Sequence, residues 1–158
     1  MSIIVKRNGS AKPLTLRSIK LLMPFICSVW AFFSTASYAE LAVVVNIDSP
    51  ANAISVEELT SLFLGKTRYL ADGTKVVPLD QLEGTASRVE FYKKVVQKSE
   101  SQLNSYWSRL IFAGKGRPPY SVADDAEVLE FILANRNMIG YVDVESVSAQ
   151  IKVILVIP

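Results

Sequence analysis

Apolar residues after residue 40 fall into two rhythms. Leu41-Ala42-Val43-Val44-Val45-Asn46-Ile47 is a continuous, β-branched run, the pattern of a strand buried in a parallel or mixed sheet. Asp48-Ser49-Pro50 ends it. Ser55-Val56-Glu57-Glu58 has the form of a capping box, and Leu59, Leu62 and Phe63 follow at helical spacing until Gly65 stops the helix. After the Asp72-Gly73 turn, Lys75-Val76-Val77-Pro78-Leu79-Asp80 predicts a second strand. Pro78 cannot donate to a ladder, so it is expected near the strand's end or at an edge.

The helical rhythm then dominates. A helix opening at Gly84-Thr85-Ala86-Ser87 carries Val89, Tyr92 and Val96 on one face, with Phe91 and Val95 beside it. Ser99-Glu100-Ser101-Gln102 is a second capping box, ahead of a helix with Leu103, Tyr106, Trp107, Leu110 and Ile111 on one side. Two glycines and two prolines make Gly114-Lys115-Gly116-Arg117-Pro118-Pro119 a loop. Asp124 or Asp125 caps a helix containing Val128, Leu129, Ile132 and Leu133. Met138–Val142 and Lys152–Ile157 predict two further strands. Strands alternating with helices imply an α/β domain with helices on both faces of its sheet.

The first 39 residues differ in kind. They hold five basic residues and no acidic one, then an apolar run from Leu21 to Phe33, then Ser37-Tyr38-Ala39. Basic, apolar and small-x-small segments in that order are the parts of a cleavable export signal. The apolar run has 13 residues, short of the roughly 20 that span a bilayer as a helix. Residues 1–39 therefore read as a signal peptide cut after Ala39, with an uncleaved anchor as the other reading. Residues 40–158 read as one domain outside the cytoplasm.

Removing that segment changes the chemistry on offer. All 15 acidic residues but only 12 of the 17 basic ones lie beyond Ala39, so residues 40–158 carry a net charge of −3. A nucleic-acid partner is not indicated. The only cysteine, Cys27, lies in the export segment, and the chain has no histidine. The usual nucleophile–base pairs of an enzyme are absent, and no metal or cofactor motif is present.

The best candidate site is Asp80-Gln81-Leu82-Glu83-Gly84-Thr85-Ala86-Ser87-Arg88. A strand ends, small hydroxyl residues follow and a helix starts, so unpaired first-turn N–H groups and the helix dipole favour an oxyanion there. Thr85 and Ser87 add hydroxyls, and Arg88 adds a forked cation. The plainer reading makes Thr85 a cap and Arg88 a solvated charge; Glu83 counts against an anion. Lys115 and Arg117 close on an anionic ligand, dock a partner or, as the plainer reading, decorate a solvated loop. Tyr106-Trp107 reads as core packing rather than a ligand shelf. Asp124, Asp125 and Glu127 lack calcium-loop spacing and read as a helix start.

Several segments, taken in order, resemble a known family. Ile54-Ser55-Val56-Glu57-Glu58-Leu59, Leu62-Phe63-Leu64-Gly65-Lys66, Asp72-Gly73, Tyr106-Trp107, Phe112-Ala113-Gly114-Lys115-Gly116 and Ile139-Gly140-Tyr141-Val142 are similar to blocks of the phosphate-type substrate-binding proteins of ABC importers. The resemblance runs over roughly residues 41 to 145. It implies one lobe of a type II periplasmic binding protein, with a mixed, mainly parallel sheet and helices on both faces. Two-lobe members hold the anion on a loop Arg-Ser-x-Gly-Ser-Gly-Thr. Here Gln81 stands for that Arg, Leu82 for its Ser and Ala86 for its second Gly, while Gly84, Thr85 and Ser87 match.

The resemblance implies a periplasmic module that recognises phosphate or a similar small oxyanion in connection with ABC-type transport, through Gly84, Thr85, Ala86, Ser87 and Arg88. The alternative is an envelope protein–protein module that keeps the fold without the ligand. A transporter or envelope protein partner and a homodimer are both compatible with the pattern.

Overall fold

The structure is a computed structural model that describes residues 40–158. The export segment, its boundary after Ala39 and Cys27 lie outside the described residues. The β-branched run forms β1, Leu41–Asn46, with all six residues buried. Helix α1 follows at Val56–Phe63, closed by the expected Ser55–Glu58 capping box. Strand β2 is Val77–Gln81, helix α2 is Ala86–Phe91, and a π-helical segment continues it over Tyr92–Val96. Helix α3 spans Glu100–Phe112 behind the Ser99–Gln102 capping box. Then come β3 (Tyr120–Val122), α4 (Asp125–Ala134), β4 (Met138–Asp143), a short 3-10 turn at Val144–Ser146, and β5 (Ile151–Ile157).

The sheet order is β3-β2-β4-β1-β5. β2 runs parallel to β3 and β4, whereas β1 is antiparallel to both β4 and β5. Four strands thus point one way and β1 alone runs against them, which makes the sheet mixed and mainly parallel. Alternation along β1 feeds two cores. Leu41, Val43 and Val45 join Leu59, Phe63, Phe91, Leu103 and Trp107 on the face covered by α1 to α3. Ala42 and Val44 join Val128 and Ile132 of α4 on the other face.

Two glycines explain blocks that the sequence shows only as a pattern. Gly65 has φ +67°, and a Cβ there would come 3.0 Å from Trp107. A Cβ on Gly140 would come 2.7 Å from Val128 Cγ1, so this glycine lets α4 lie close against β4.

Pro78 is the second residue of β2, near a strand end as expected, in a strand that is interior to the sheet. Val77 donates to Asn137 on the β4 side. Alternation points the Pro78 nitrogen toward β3, which first pairs at Leu79, so no ladder bond is lost. Val89, expected on a buried face, is 47% exposed, while Phe91, Tyr92, Val95 and Val96 are all buried. Buried Arg88 forms with Phe91, Tyr92, Val95 and Val96 the i, i+3, i+4, i+7, i+8 stripe of the helix, and Val89 falls off it. Ile111 and Leu133, placed on apolar faces by spacing, are 54% and 44% exposed. The short strand β3 emerges from what reads as the tail of a loop.

Candidate functional site

The connections fix where a ligand crevice belongs. From β2 the chain crosses through α2 and α3 to β3 on one side, then through α4, on the opposite face, to β4 on the other side. The carboxyl ends of β2 and β4 therefore flank the topological switch point, where open α/β sheets bind ligands. Gln81, Asp80, the start of α2 and the end of β4 all meet there.

Asp80 is the buried hub beneath this crevice, 3% exposed. Its Oδ2 accepts from Arg88 Nη1 at 2.7 Å and from the Tyr92 hydroxyl at 2.8 Å. Its Oδ1 accepts from the Tyr141 hydroxyl at 2.6 Å and from the Gln81 N–H at 2.9 Å. All four partners donate, which suits an ionised, acceptor-only carboxylate. Burial pushes the Asp80 carboxyl above its usual range, and the Tyr141 hydroxyl, Arg88 and Tyr92 pull it back. Burial, then the Asp80 charge, raises the phenols of Tyr92 and Tyr141, so both remain donors. The Tyr141 ring is held by stacking on Phe91 at 3.9 Å.

Arg88 is drawn into the same network. Nη1 also donates to the Gln81 carbonyl at 2.7 Å, Nε to Glu100 Oε1 at 3.0 Å, and Nη2 to Glu100 Oε2 at 3.4 Å. Its guanidinium lies 5.0 Å over the Tyr92 ring. Burial opposes its charge, but Asp80 and Glu100 outweigh burial and raise its pKa. The side chain thus ties β2, α2 and α3 together.

The crevice above Asp80 holds a carboxylate of the chain's own. Asp125 Oδ1 accepts from Gln81 Nε2 at 2.6 Å and from the Ser87 hydroxyl at 3.3 Å. Its Oδ2 accepts from the Asp143 N–H at 2.9 Å and the Ser146 hydroxyl at 3.2 Å. One carboxylate thus takes donors from the end of β2, the first turn of α2, the end of β4 and the 3-10 turn after it. The capping of α4 falls to Asp124, whose side chain accepts from the Glu127 N–H. Asp125 is free of that task.

The remaining loop residues lie at the rim. Gly84 and Ala86 are exposed, and Thr85 and Ser87 half-buried. Thr85 is the N-cap residue of α2 but makes no cap bond; its hydroxyl donates to the Leu82 carbonyl at 3.0 Å. By contrast Ser55, Ser99 and Asp124 all cap their helices. The Ala86, Ser87 and Arg88 N–H groups consequently lack a capping partner. Glu83 accepts from Asn104 at 3.3 Å. Tyr106 and Trp107 pack in the core as spacing implied, with the Tyr106 hydroxyl donating to the Leu64 carbonyl at 2.8 Å. Among the described residues no group of His, Cys, Asp or Glu is placed to hold a metal ion. Nor is any described helix long and apolar enough to cross a membrane.

Sequence reasoning found the loop but missed Asp125, Glu100, Tyr92 and Tyr141 as parts of the site. The one available signal for Asp125 was the Asp124-Asp125 pair itself, since a helix start needs a single cap.

No family description and no curated protein matches the chain at the sequence level. Solved structures do match its fold. An ABC-type phosphate transport receptor from Vibrio cholerae superposes with a TM-score of 0.59 at 17% identity, covering 73% of this chain and 46% of that one. A putative phosphate ABC transporter substrate-binding protein from Clostridium perfringens, with bound phosphate, gives 0.59 at 15% identity over 73% of this chain and 45% of its own. PstS from Borrelia burgdorferi gives 0.54 at 13% identity, over 73% and 47%. The chain thus spans less than half the length of these structures, and across that span it has the fold of the phosphate-type ABC transporter substrate-binding proteins.

Proposed function

We propose that this domain is a substrate-binding-protein-like module of the cell envelope that works through a protein partner, a transporter component or another envelope protein, and that its own oxyanion seat is filled from within. One observation carries the reading: the Asp125 carboxylate lies at the switch point and takes four donors that would otherwise face a ligand. A second anion brought there meets like charge, and the nearest guanidinium, Arg88, is neutralised by Asp80 and Glu100. The expected result of titrating inorganic phosphate or sulfate into the protein is no heat at millimolar anion. Saturable binding would overturn the reading. The export segment at residues 1–39 supports a place outside the cytoplasm, and N-terminal sequencing of the exported protein is expected to begin at Glu40.

A second reading is favoured by the uncapped start of α2. A phosphate-like oxyanion would there take main-chain N–H groups from Gly84, Ala86, Ser87 and Arg88, as half of a composite site completed by another body, while the Thr85 N–H stays on the Leu82 carbonyl at 3.2 Å. Ala86 is the first helical residue, and Thr85 before it has φ −66° and ψ 145°, a conformation compatible with a following proline. Ala86→Pro therefore deletes one N–H while sparing the helix. Phosphate binding that is lost in Ala86→Pro would establish this second reading over the first.

A further inference from the structure

The opposite end of the parallel strands has the reverse character. An open groove of about 800 Å³ lies at the amino ends of β2 and β3, reached by Arg68, Lys75, Lys115 and Arg117. No acidic residue lines it. All four cationic side chains are exposed, and among the described residues none of them forms an ion pair. In a domain with 15 acidic and 12 basic residues, four unpaired cations around one groove are a segregation of charge, not an average surface. The walls between them are apolar: Val76, Pro118, Pro119, Tyr120 and Ile111. Tyr120 and Ile111 are 59% and 54% exposed.

The groove also runs beside an open sheet edge. β3 is the last strand of the sheet. The Val122 carbonyl accepts from Leu82 on the β2 side. Alternation therefore turns the N–H and C=O of Ser121, which lines the groove, outward. An extended chain lying there finds two main-chain hydrogen bonds, apolar contacts for one set of its side chains and cations for the other.

We propose that this groove docks an extended acidic peptide segment of a partner protein, with acidic and apolar side chains in alternation. A bilayer surface fits less well, because a flat sheet of headgroups cannot enter a concave groove whose apolar walls lie between its charges. The proposal rests on the reading of the domain as a protein-interaction module, and it names the partner's chemistry.

The test is fluorescence polarisation at low salt with a labelled synthetic peptide of alternating glutamate and valine. Controls are the same peptide with lysine for glutamate, and vesicles of phosphatidylglycerol in phosphatidylcholine. The acidic peptide is expected to bind and the lysine peptide to fail. Lys115→Glu/Arg117→Glu is expected to weaken binding about tenfold or more, and raised salt to weaken it as well. Arg68→Glu/Lys75→Glu gives a second, independent variant on the other wall. All four residues are exposed, so unchanged melting curves show that the variants fold. Absence of acidic-peptide binding, equal binding by both charge-reversed variants, or a preference for the vesicles would each overturn the proposal. Phosphate binding at the switch point would sink the interaction-module reading while leaving the peptide result to stand by itself, so the two failures are distinguishable.

Discussion

The two ends of the parallel strands handle charge in opposite ways. At the carboxyl end, Asp80, Arg88, Glu100 and Asp125 are engaged with one another or with neighbouring polar groups. At the amino end, Arg68, Lys75, Lys115 and Arg117 stand exposed around an apolar groove without ion pairs among the described residues. The fold's customary ligand crevice is at the first end. In this chain the charged side chains at that end satisfy each other, although the first-turn N–H groups of α2 stay uncapped, and on the proposed reading the end with unanswered charge is the one that recognises something else. A fold places a crevice; the residues in it determine whether the crevice is open.

The sharpest way to break the comparison is to remove the hub of the closed end. Asp80→Ala leaves Arg88, Tyr92 and Tyr141 facing a buried void. The expected loss is about 3 kcal/mol, the low end for breaking a buried ion pair, because Glu100 still holds Arg88. Urea unfolding measures it. Asp80→Asn should cost nearly as much, since an amide NH₂ would face donors.

Gly140→Ala acts on the same end from below. The new methyl pushes Val128, one turn into α4, and so shifts the helix that carries Asp125. Overpacking of this kind costs about 1–3 kcal/mol. Val128→Ala in the same chain should recover part of it, and a double-mutant cycle in urea reads the coupling.

At the open end, reversing Lys115 and Arg117 should leave stability within about 0.5 kcal/mol, the usual range for surface sites away from special features. A loss of several times that would mean these cations brace the fold, and the contrast between the two ends would fail.

Much of the fold was legible because it is local. Ser55 and Ser99 announced their helices through residues three positions away, and the Leu41–Asn46 run announced a strand buried on both faces. Val89 misled because the buried stripe starts from Arg88, whose charge hid its place on that face. The loop at Gly84–Arg88 was visible as a strand-to-helix junction. Its contents were not, because the groups that fill it come from afar. Asp125 meets Gln81 across 44 positions and Ser87 across 38, and Tyr141 meets Asp80 across 61. Spacing rules do not reach that far. Arg88 could be seen as a cation near the loop, but Glu100, which helps hold it away from solvent, belongs to the next helix.

The central claim is that the chain's own carboxylate fills the switch point. It is tested most directly by titrating phosphate calorimetrically into the wild-type protein and into Asp125→Ser side by side. Asp124 remains to cap α4 in the variant, so the fold is expected to hold, with a melting curve to check it. The account predicts no binding by the wild type and measurable binding by Asp125→Ser, where Gln81, Ser87, Ser146 and the Asp143 N–H face an empty seat. Binding by the wild type, or silence from a folded Asp125→Ser, would contradict it.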